Sequence, residues 1–342
     1  MAGTGRGAEG AGAGAATPVT ADGADPGVTP RPASTVMVVR DGAHATAPLE
    51  VLMLRRNLRA DFVGGAHVFP GGAVDPGDRD PKWEARCPGL PDAAASATLG
   101  LEAGGLAYWV AAVRECFEES GLLLARDANG DAISFSEHDV GDRFGRHRTA
   151  LNARERSFLD VCEAEGLSLL VESLHYFAHW ITPEGSPRRY DTRFFVAPAP
   201  AGQESAHDAG ETISDVWVRP AVALDHHRSG DMELILPTIK NLQAIGRFAT
   251  TAELLDAASA ARDVPAVLPR VVADTGGVRL LLPGDPGYDV PGSGSEEAAR
   301  RLSVDFDAAT RLASRAANPV GGTEGAGDGR RRGGRGRGAG HG

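Results

Sequence analysis

Cysteine is scarce. Cys87, Cys116 and Cys162 are the only three in 342 residues, and they are scattered. Their odd number and wide spacing give neither a disulfide framework nor a zinc pattern, as expected of a chain working in a reducing cytoplasm. No apolar run approaches the ~20 residues that span a bilayer, so no membrane partner is expected. The Gly/Ala-rich start has no apolar h-region, and the closing Gly-His-Gly is no peroxisomal address. Basic charge is in deficit. The formal net charge of −11 argues against a nucleic-acid binder as a whole. There is no internal repeat. What is present is a chain with 42% hydrophobic residues, enough for a substantial core.

Composition divides the chain into three parts. Residues 1–33 are low-complexity Gly, Ala, Thr and Pro, which bury too little apolar surface to offset ordering entropy and are expected to be disordered. Residues 34–290 carry the folding signals. Residues 291–342 return to low complexity, with a short helix expected within 296–317. The stretch 330–338 is Arg/Gly-rich, with five arginines from Arg330 to Arg337. Such a tail binds nucleic acid at most weakly and non-specifically.

Within the central part, Ser34–Arg40 and Leu49–Arg55 are β-branched, apolar runs joined through an Asp41-Gly42 turn, so they read as neighbouring strands. Residues 79–104 open proline-rich, close on Gly104-Gly105, and have a helical middle at 92–101. Residues 139–170 read as a helical pair, preceded by a basic cluster of Arg143, Arg146, His147 and Arg148. Leu174–Thr182 and Asp191–Ala197 read as strands around a loop. Gly210–Val218 is a further strand, with Trp217 expected in the core. Pro220–His227 is a helix with proline in its first turn. Helices from Leu236 and from Thr251 follow, then a hairpin of Val267–Val272 and Val278–Leu282.

The most informative stretch is Val110–Leu122, VAAVRECFEESGL. On a helix Glu118 and Glu119 lie three and four residues from Glu115, so three carboxylates share one face. Like charges gathered there repel, and a divalent cation would relieve the repulsion. Oxygen-only sites suit Mg2+, Mn2+ or Ca2+. Leu106, Trp109, Val110, Val113 and Phe117 form the opposite, apolar face, and Gly121 is placed as a C-terminal stop. Upstream, Phe69-Pro70-Gly71-Gly72 makes a glycine turn of the kind that lets backbone approach a ligand closely.

Together these segments resemble the box of the Nudix family: Gly72, five residues, Asp78, then Arg114-Glu115, Glu118-Glu119 and Gly121. Asp78 stands where the family has Glu, and 35 residues separate it from Arg114. That interruption is similar to the branch that includes the acyl-coenzyme A diphosphatase of mammalian peroxisomes. The segment HWITPEGSPRRYDTRFFV resembles the same branch. The resemblance implies an α/β fold, a Nudix-type α/β/α sandwich with a mixed β-sheet, a box insertion at 79–104 and additional helices. It implies Mg2+ or Mn2+ at Glu115, Glu118 and Glu119, with the Gly71 carbonyl as a further ligand. Arg114 would orient the glutamates, and Asp78 would support the helix through water. Glu211, with Asp215 second, would complete the site, and Glu115 or Glu211 would serve as general base. Arg56, Arg59, Arg188, Arg189 and Tyr190 are candidates for binding substrate.

The reaction so implied is metal-dependent hydrolysis of a nucleoside diphosphate linked to another group. The first candidate substrate is coenzyme A or an acyl-coenzyme A, giving 3′,5′-ADP and a phosphopantetheine product. ADP-ribose, NADH or a nucleotide sugar are alternatives, and a non-catalytic nucleotide-binding module is a second one. The insertion is expected to border the substrate pocket, because both its ends meet box segments.

Overall fold

The computed structural model describes residues 28–42, 48–57, 64–208, 210–274 and 277–289. The expected low-complexity helix, the arginine-rich tail and Arg59 lie outside the described residues.

Strands β1 (Arg31–Asp41) and β2 (Leu49–Arg56) pair antiparallel, as their sequences predict. β3 (His67–Val68) extends β2, and β4 (Gly71–Ala73) returns along β1. Two 3-10 turns at Pro76–Arg79 and Pro81–Arg86 lead to α1 (Asp92–Leu99) and then α2 (Leu106–Ser120). After these come β5 (Ala125–Arg126), α3 (His138–Asn152), α4 (Phe158–Ala164) and β6 (Ser168–Leu169). The hairpin of β7 (His175–Ile181) and β8 (Tyr190–Pro198) precedes β9 (Thr212–Val218). Helices α5 (Pro220–Ser229), α6 (Leu236–Ile245) and α7 (Thr251–Ala260) follow. Last come β10 (Ala266–Val267), β11 (Arg270–Asp274) and β12 (Gly277–Leu281).

The main sheet runs β10-β7-β8-β1-β2-β3, with β4 also on β1 and β9 also on β2. β1 is parallel to β8 and antiparallel to β2, so the sheet is mixed. Its central strands are buried on both faces, which is why they read as continuous apolar runs. Successive side chains alternate between two cores. Val36 and Val38, Leu52 and Leu54, Phe195 and Ala197 face the core built with α1 to α4. Met37 and Val39, Val51 and Met53, Phe194 and Val196 face the core built with α5 to α7. The result is the expected three-layer α/β/α arrangement.

Several local expectations are corrected. β1 begins at Arg31, inside the segment read as disordered, because its first residues pair with β8 and the Arg31 N–H donates to the Arg189 carbonyl. The basic cluster does not precede the helical pair. It lies on α3, where Arg143 and His147 both pair with Glu165 and Arg148 donates to the Glu118 carbonyl. The helical pair stops at Ala164, since Ser168–Leu169 is taken by pairing with β5. Val267 belongs to β10, parallel to β7, and the final hairpin is β11 with β12 alone. Trp217 packs against the core as expected but is half-buried, with the Arg40 guanidinium 4.2 Å from its ring centroid.

The insertion does structural work on α2. Gly105, at the helix start, has no side chain with which to cap it. The Asp92 carboxylate, from α1, accepts the N–H groups of Gly104 (2.8 Å) and Leu106 (2.9 Å), and Ser96 Oγ accepts that of Gly105 (2.8 Å). Orphan donors at a helix start are thus met from a neighbouring helix. Asp92→Ala is expected to lower unfolding free energy by about 1–2 kcal/mol, read from urea denaturation. A change below about 0.3 kcal/mol would mean that water replaces the cap fully.

Candidate active site

Helix α2 is fixed by its apolar side. Leu106, Trp109, Val110, Val113 and Phe117 are all buried, and the Trp109 ring sits 4.6 Å from that of Phe195 on β8. The helix ends at Gly121 with φ 75°, a left-handed position that glycine adopts without steric cost. Its remaining side carries Arg114, Glu115, Glu118 and Glu119.

Arg114 is the hub, with a side chain only 9% exposed. Its Nε and Nη2 donate to the two Asp78 oxygens at 2.9 and 2.8 Å. Nη1 donates to Glu115 (2.8 Å) and Glu118 (3.0 Å), and Nη2 also donates to the Ala73 carbonyl (2.9 Å). Asp78 therefore meets Arg114 directly, in a two-pronged pair, and not through water as its short side chain suggested. The 3-10 turn at Pro76–Arg79 carries it in, and the Asp75 N–H donates to its carboxylate.

The two glycines are held by close packing. β4 is squeezed between β1 and α2, and the Gly71 N–H donates to Glu119 at 2.9 Å. A Cβ on Gly71 would lie 2.5 Å from the Ser34 carbonyl oxygen, and one on Gly72 would lie 2.5 Å from Glu115 Oε1. The second clash is with the end of a flexible side chain. Gly72→Ala is therefore expected to keep the fold but push the Glu115 carboxylate aside. Turnover should fall at least about tenfold with melting temperature nearly unchanged, since small misplacements at reacting groups are expensive. Unaltered kinetics would show that Glu115 position is not critical.

Burial pushes the Glu115 carboxyl up to about 7, against the pull of Arg114 and with the push of Glu118. Glu118 is raised by burial despite Arg114. Glu119 is raised by burial and by the charges of Glu115 and Glu211. Three desolvated, mutually repelling carboxylates suit a divalent cation. Among the described residues, no three Asp, Glu, His or Cys side chains already converge as a metal-ligating group. The reason is local: Arg114 draws Glu115 and Glu118 to itself, while Glu119 turns to the Gly71 N–H.

Glu211 precedes β9, and its charge reaches Glu119. It pairs with Arg56 at 2.7 Å. Asp215 is turned elsewhere, toward Ser205 and His207. Tyr190 lines the cavity beside the carboxylates, while Arg188 is exposed and lines neither cavity. Arg189 is corrected as a substrate-binding candidate: it is buried, with Nε donating to the Thr182 carbonyl and Nη1 to that of Val28. Arg193 is likewise buried, paired with Asp191 and His179.

Two spaces meet at this centre. One is a cavity of about 340 Å3 with apolar walls that include Phe69, Trp180, Phe194, Leu236 and Leu280. The other is a polar cleft of about 1100 Å3 lined by Asp75, Asp78, Asp80, Arg154 and Arg156, among others. Glu115 and Glu211 line both. Asp80 and Trp83 bring the start of the insertion to the cleft, while α1 packs against α2. The sequence reading missed the apolar walls from β7, α6 and β12, and the α3–α4 loop. The Thr-Pro of the β7–β8 loop was the one signal for the former; nothing marked the latter.

A mixed sheet between helical layers, with an Arg-Glu and Glu-Glu helix packed on a glycine strand, defines a Nudix-type hydrolase. The comparisons agree. The family model described as the NUDT19 Nudix domain matches residues 84–245. The chain is 27% identical over 287 residues to acyl-coenzyme A diphosphatase NUDT19 of Gallus gallus, covering 72% of this chain and 76% of that protein. It is 28% identical to the Homo sapiens protein of the same name, covering 70% and 72%. A crystal structure of a NUDIX hydrolase from Alicyclobacillus acidocaldarius superposes with a TM-score of 0.52 at 28% identity, over 67% of this chain and 96% of that one. These matches support a Nudix hydrolase that resembles the NUDT19 branch. No helix among the described residues is long and apolar enough to cross a membrane.

Proposed function

We propose that the protein hydrolyses the diphosphate of coenzyme A or acyl-coenzyme A, giving 3′,5′-ADP and a phosphopantetheine product. The observation that carries this reading is the meeting of an apolar cavity and a polar cleft at Glu115 and Glu211. A substrate whose diphosphate joins an uncharged arm, apolar at its acyl end, to a charged nucleotide fits such a divided site. The names of the animal relatives support the same class. In this reading the segment from Arg31 to about residue 290 forms the hydrolase unit, flanked by two low-complexity segments.

Glu115, Glu118 and Glu119 would hold a divalent cation, Mg2+ or Mn2+, with the Gly71 carbonyl as a further donor. Such an ion, when bound, supplies charge neutralisation of the diphosphate and polarisation of a phosphorus–oxygen bond. Arg114 holds Glu115 and Glu118 in register and is too enclosed to reach substrate. Arg56 lines the apolar cavity next to Glu211, with which it pairs, and suits a diphosphate oxygen. Glu115 or Glu211 takes the proton of the attacking water.

The test is product release from coenzyme A, an acyl-coenzyme A, ADP-ribose and NADH, each with Mg2+ and with Mn2+. Metal-dependent release of 3′,5′-ADP from the first two is the expected result. Coenzyme A left intact while ADP-ribose is cleaved would overturn the substrate assignment and leave the family unaffected.

A further inference from the structure

The polar cleft carries three arginines. Arg114 is spent on Asp78, Glu115, Glu118 and the Ala73 carbonyl. Arg156 contacts His147 Nδ1 and donates to the Asp160 carbonyl, both at 3.3 Å. Arg154 is exposed, and its guanidinium has no hydrogen-bond or ion-pair partner among the described residues. It is the free cation in a cleft otherwise rich in carboxylates.

The backbone at Arg154 is also unusual. Its φ of 57° is the one positive value at a non-glycine residue among those described. The position follows the end of α3, where its N–H donates to the Leu151 carbonyl at 2.8 Å. Glycine is the residue that suits such a left-handed helix exit. An arginine there points to a use for the side chain. The loop is fastened beside the catalytic helix, since the Asn152 side chain donates to the Glu118 carbonyl at 3.3 Å. Arg154 lies two residues further on, at most about 7 Å of backbone away.

The two spaces differ in what they can hold. In the apolar cavity the single cationic wall residue among the described residues is Arg56, already paired with Glu211. A phosphate monoester dianion placed there would lose hydration and would have to compete with Glu211 and the diphosphate for Arg56. In the cleft it would meet Arg154. We infer that Arg154 binds a phosphate on the ribose of the nucleotide half, at the 3′ position, and so selects 3′-phosphorylated substrates, while the neutral arm occupies the apolar cavity. This rests on the diphosphatase reading above and adds an orientation and a specificity residue to it.

The experiment compares kcat/KM for coenzyme A and for 3′-dephospho-coenzyme A, which lacks only that phosphate, in wild type, Arg154→Gly and Arg154→Lys. Wild type is expected to prefer coenzyme A by at least about tenfold, the worth of one hydrogen-bonded charge contact. In Arg154→Gly the ratio should fall close to one, with a melting temperature at or above wild type, because glycine relieves the backbone. Arg154→Lys should keep an intermediate ratio. A wild-type ratio near one, or an unchanged ratio in Arg154→Gly, overturns the inference. Calorimetric binding of 3′,5′-ADP against 5′-AMP, with Mg2+, gives a readout without turnover. If neither coenzyme is cleaved, the diphosphatase reading fails and this arm decides alone. A 3′,5′-ADP preference lost in Arg154→Gly supports Arg154, and equal binding of the two nucleotides overturns it.

Discussion

Arg114→Met is expected to lower unfolding free energy by about 3–5 kcal/mol and to abolish turnover. The guanidinium makes five hydrogen bonds to groups that are themselves buried or half-buried. Asp78 is the most dependent of these, at 2% side-chain exposure. Burial alone pushes its carboxyl upward, and Arg114 is the main opposing influence. Methionine fills much of the volume but leaves Asp78 without its counter-charge, so the carboxyl is driven to its neutral form. Breaking a buried pair from one side costs far more than replacing both partners. The double variant Asp78→Asn with Arg114→Met should therefore regain at least about half of the lost stability by urea denaturation. It should regain no turnover, because Glu115 and Glu118 lose their shared anchor in both variants. Equal stability loss in the single and double variants would mean that Asp78 is not the group Arg114 supports. Normal turnover in either would remove Arg114 from the positioning of the glutamates.

What could be read in advance follows the range of the interactions involved. The α2 helix was legible to its last residue because its signals are local: apolar spacing, three glutamates on one side and a glycine stop. The central strands were legible because double-sided burial writes itself as continuous Val, Leu and Met. The Asp78–Arg114 pair was visible only as a departure from a pattern, since nothing in a sequence measures whether a shorter carboxylate reaches across 36 positions. The apolar cavity was missed because its walls come from β4, β7, α6 and β12, which no single stretch brings together. Arg189 was misjudged for a related reason. A basic residue in a loop reads as available, and only the packed loop shows that two backbone carbonyls have already claimed it. Arg154 gave no sign at all, since left-handed backbone at an arginine is not encoded in a composition or a period.

Glu118→Gln is expected to lower kcat/KM by roughly 10³-fold, because it removes charge from the site proposed to hold a cation, and such a cation would supply several kcal/mol of transition-state stabilisation. The fold should persist, as Glu118 is 22% exposed and glutamine still accepts from Arg114. The electrostatics behind this can be read separately, through pH. In the metal-free protein Glu115 holds its proton to about pH 7, against an ordinary value of 4.5. Glu119 is displaced in the same direction by burial and by Glu115 and Glu211. Between 4.5 and about 7 the folded state therefore binds more protons than the unfolded state. Stability contributed by Glu115 is present at pH 4 and is lost as pH rises through 7, by up to about 1.4 kcal/mol per unit, and Glu119 acts in the same direction. Metal-free protein should melt lower at pH 8 than at pH 5.5. Mn2+ should raise the melting temperature most at pH 8, because binding needs the carboxylates ionised and releases their protons. Glu115→Gln should flatten the metal-free pH dependence and remove most of the Mn2+ effect. Metal-free stability that climbed toward pH 8, with no added gain from Mn2+, would mean that these carboxylates ionise as exposed groups do, and the cation site would have to be sought elsewhere.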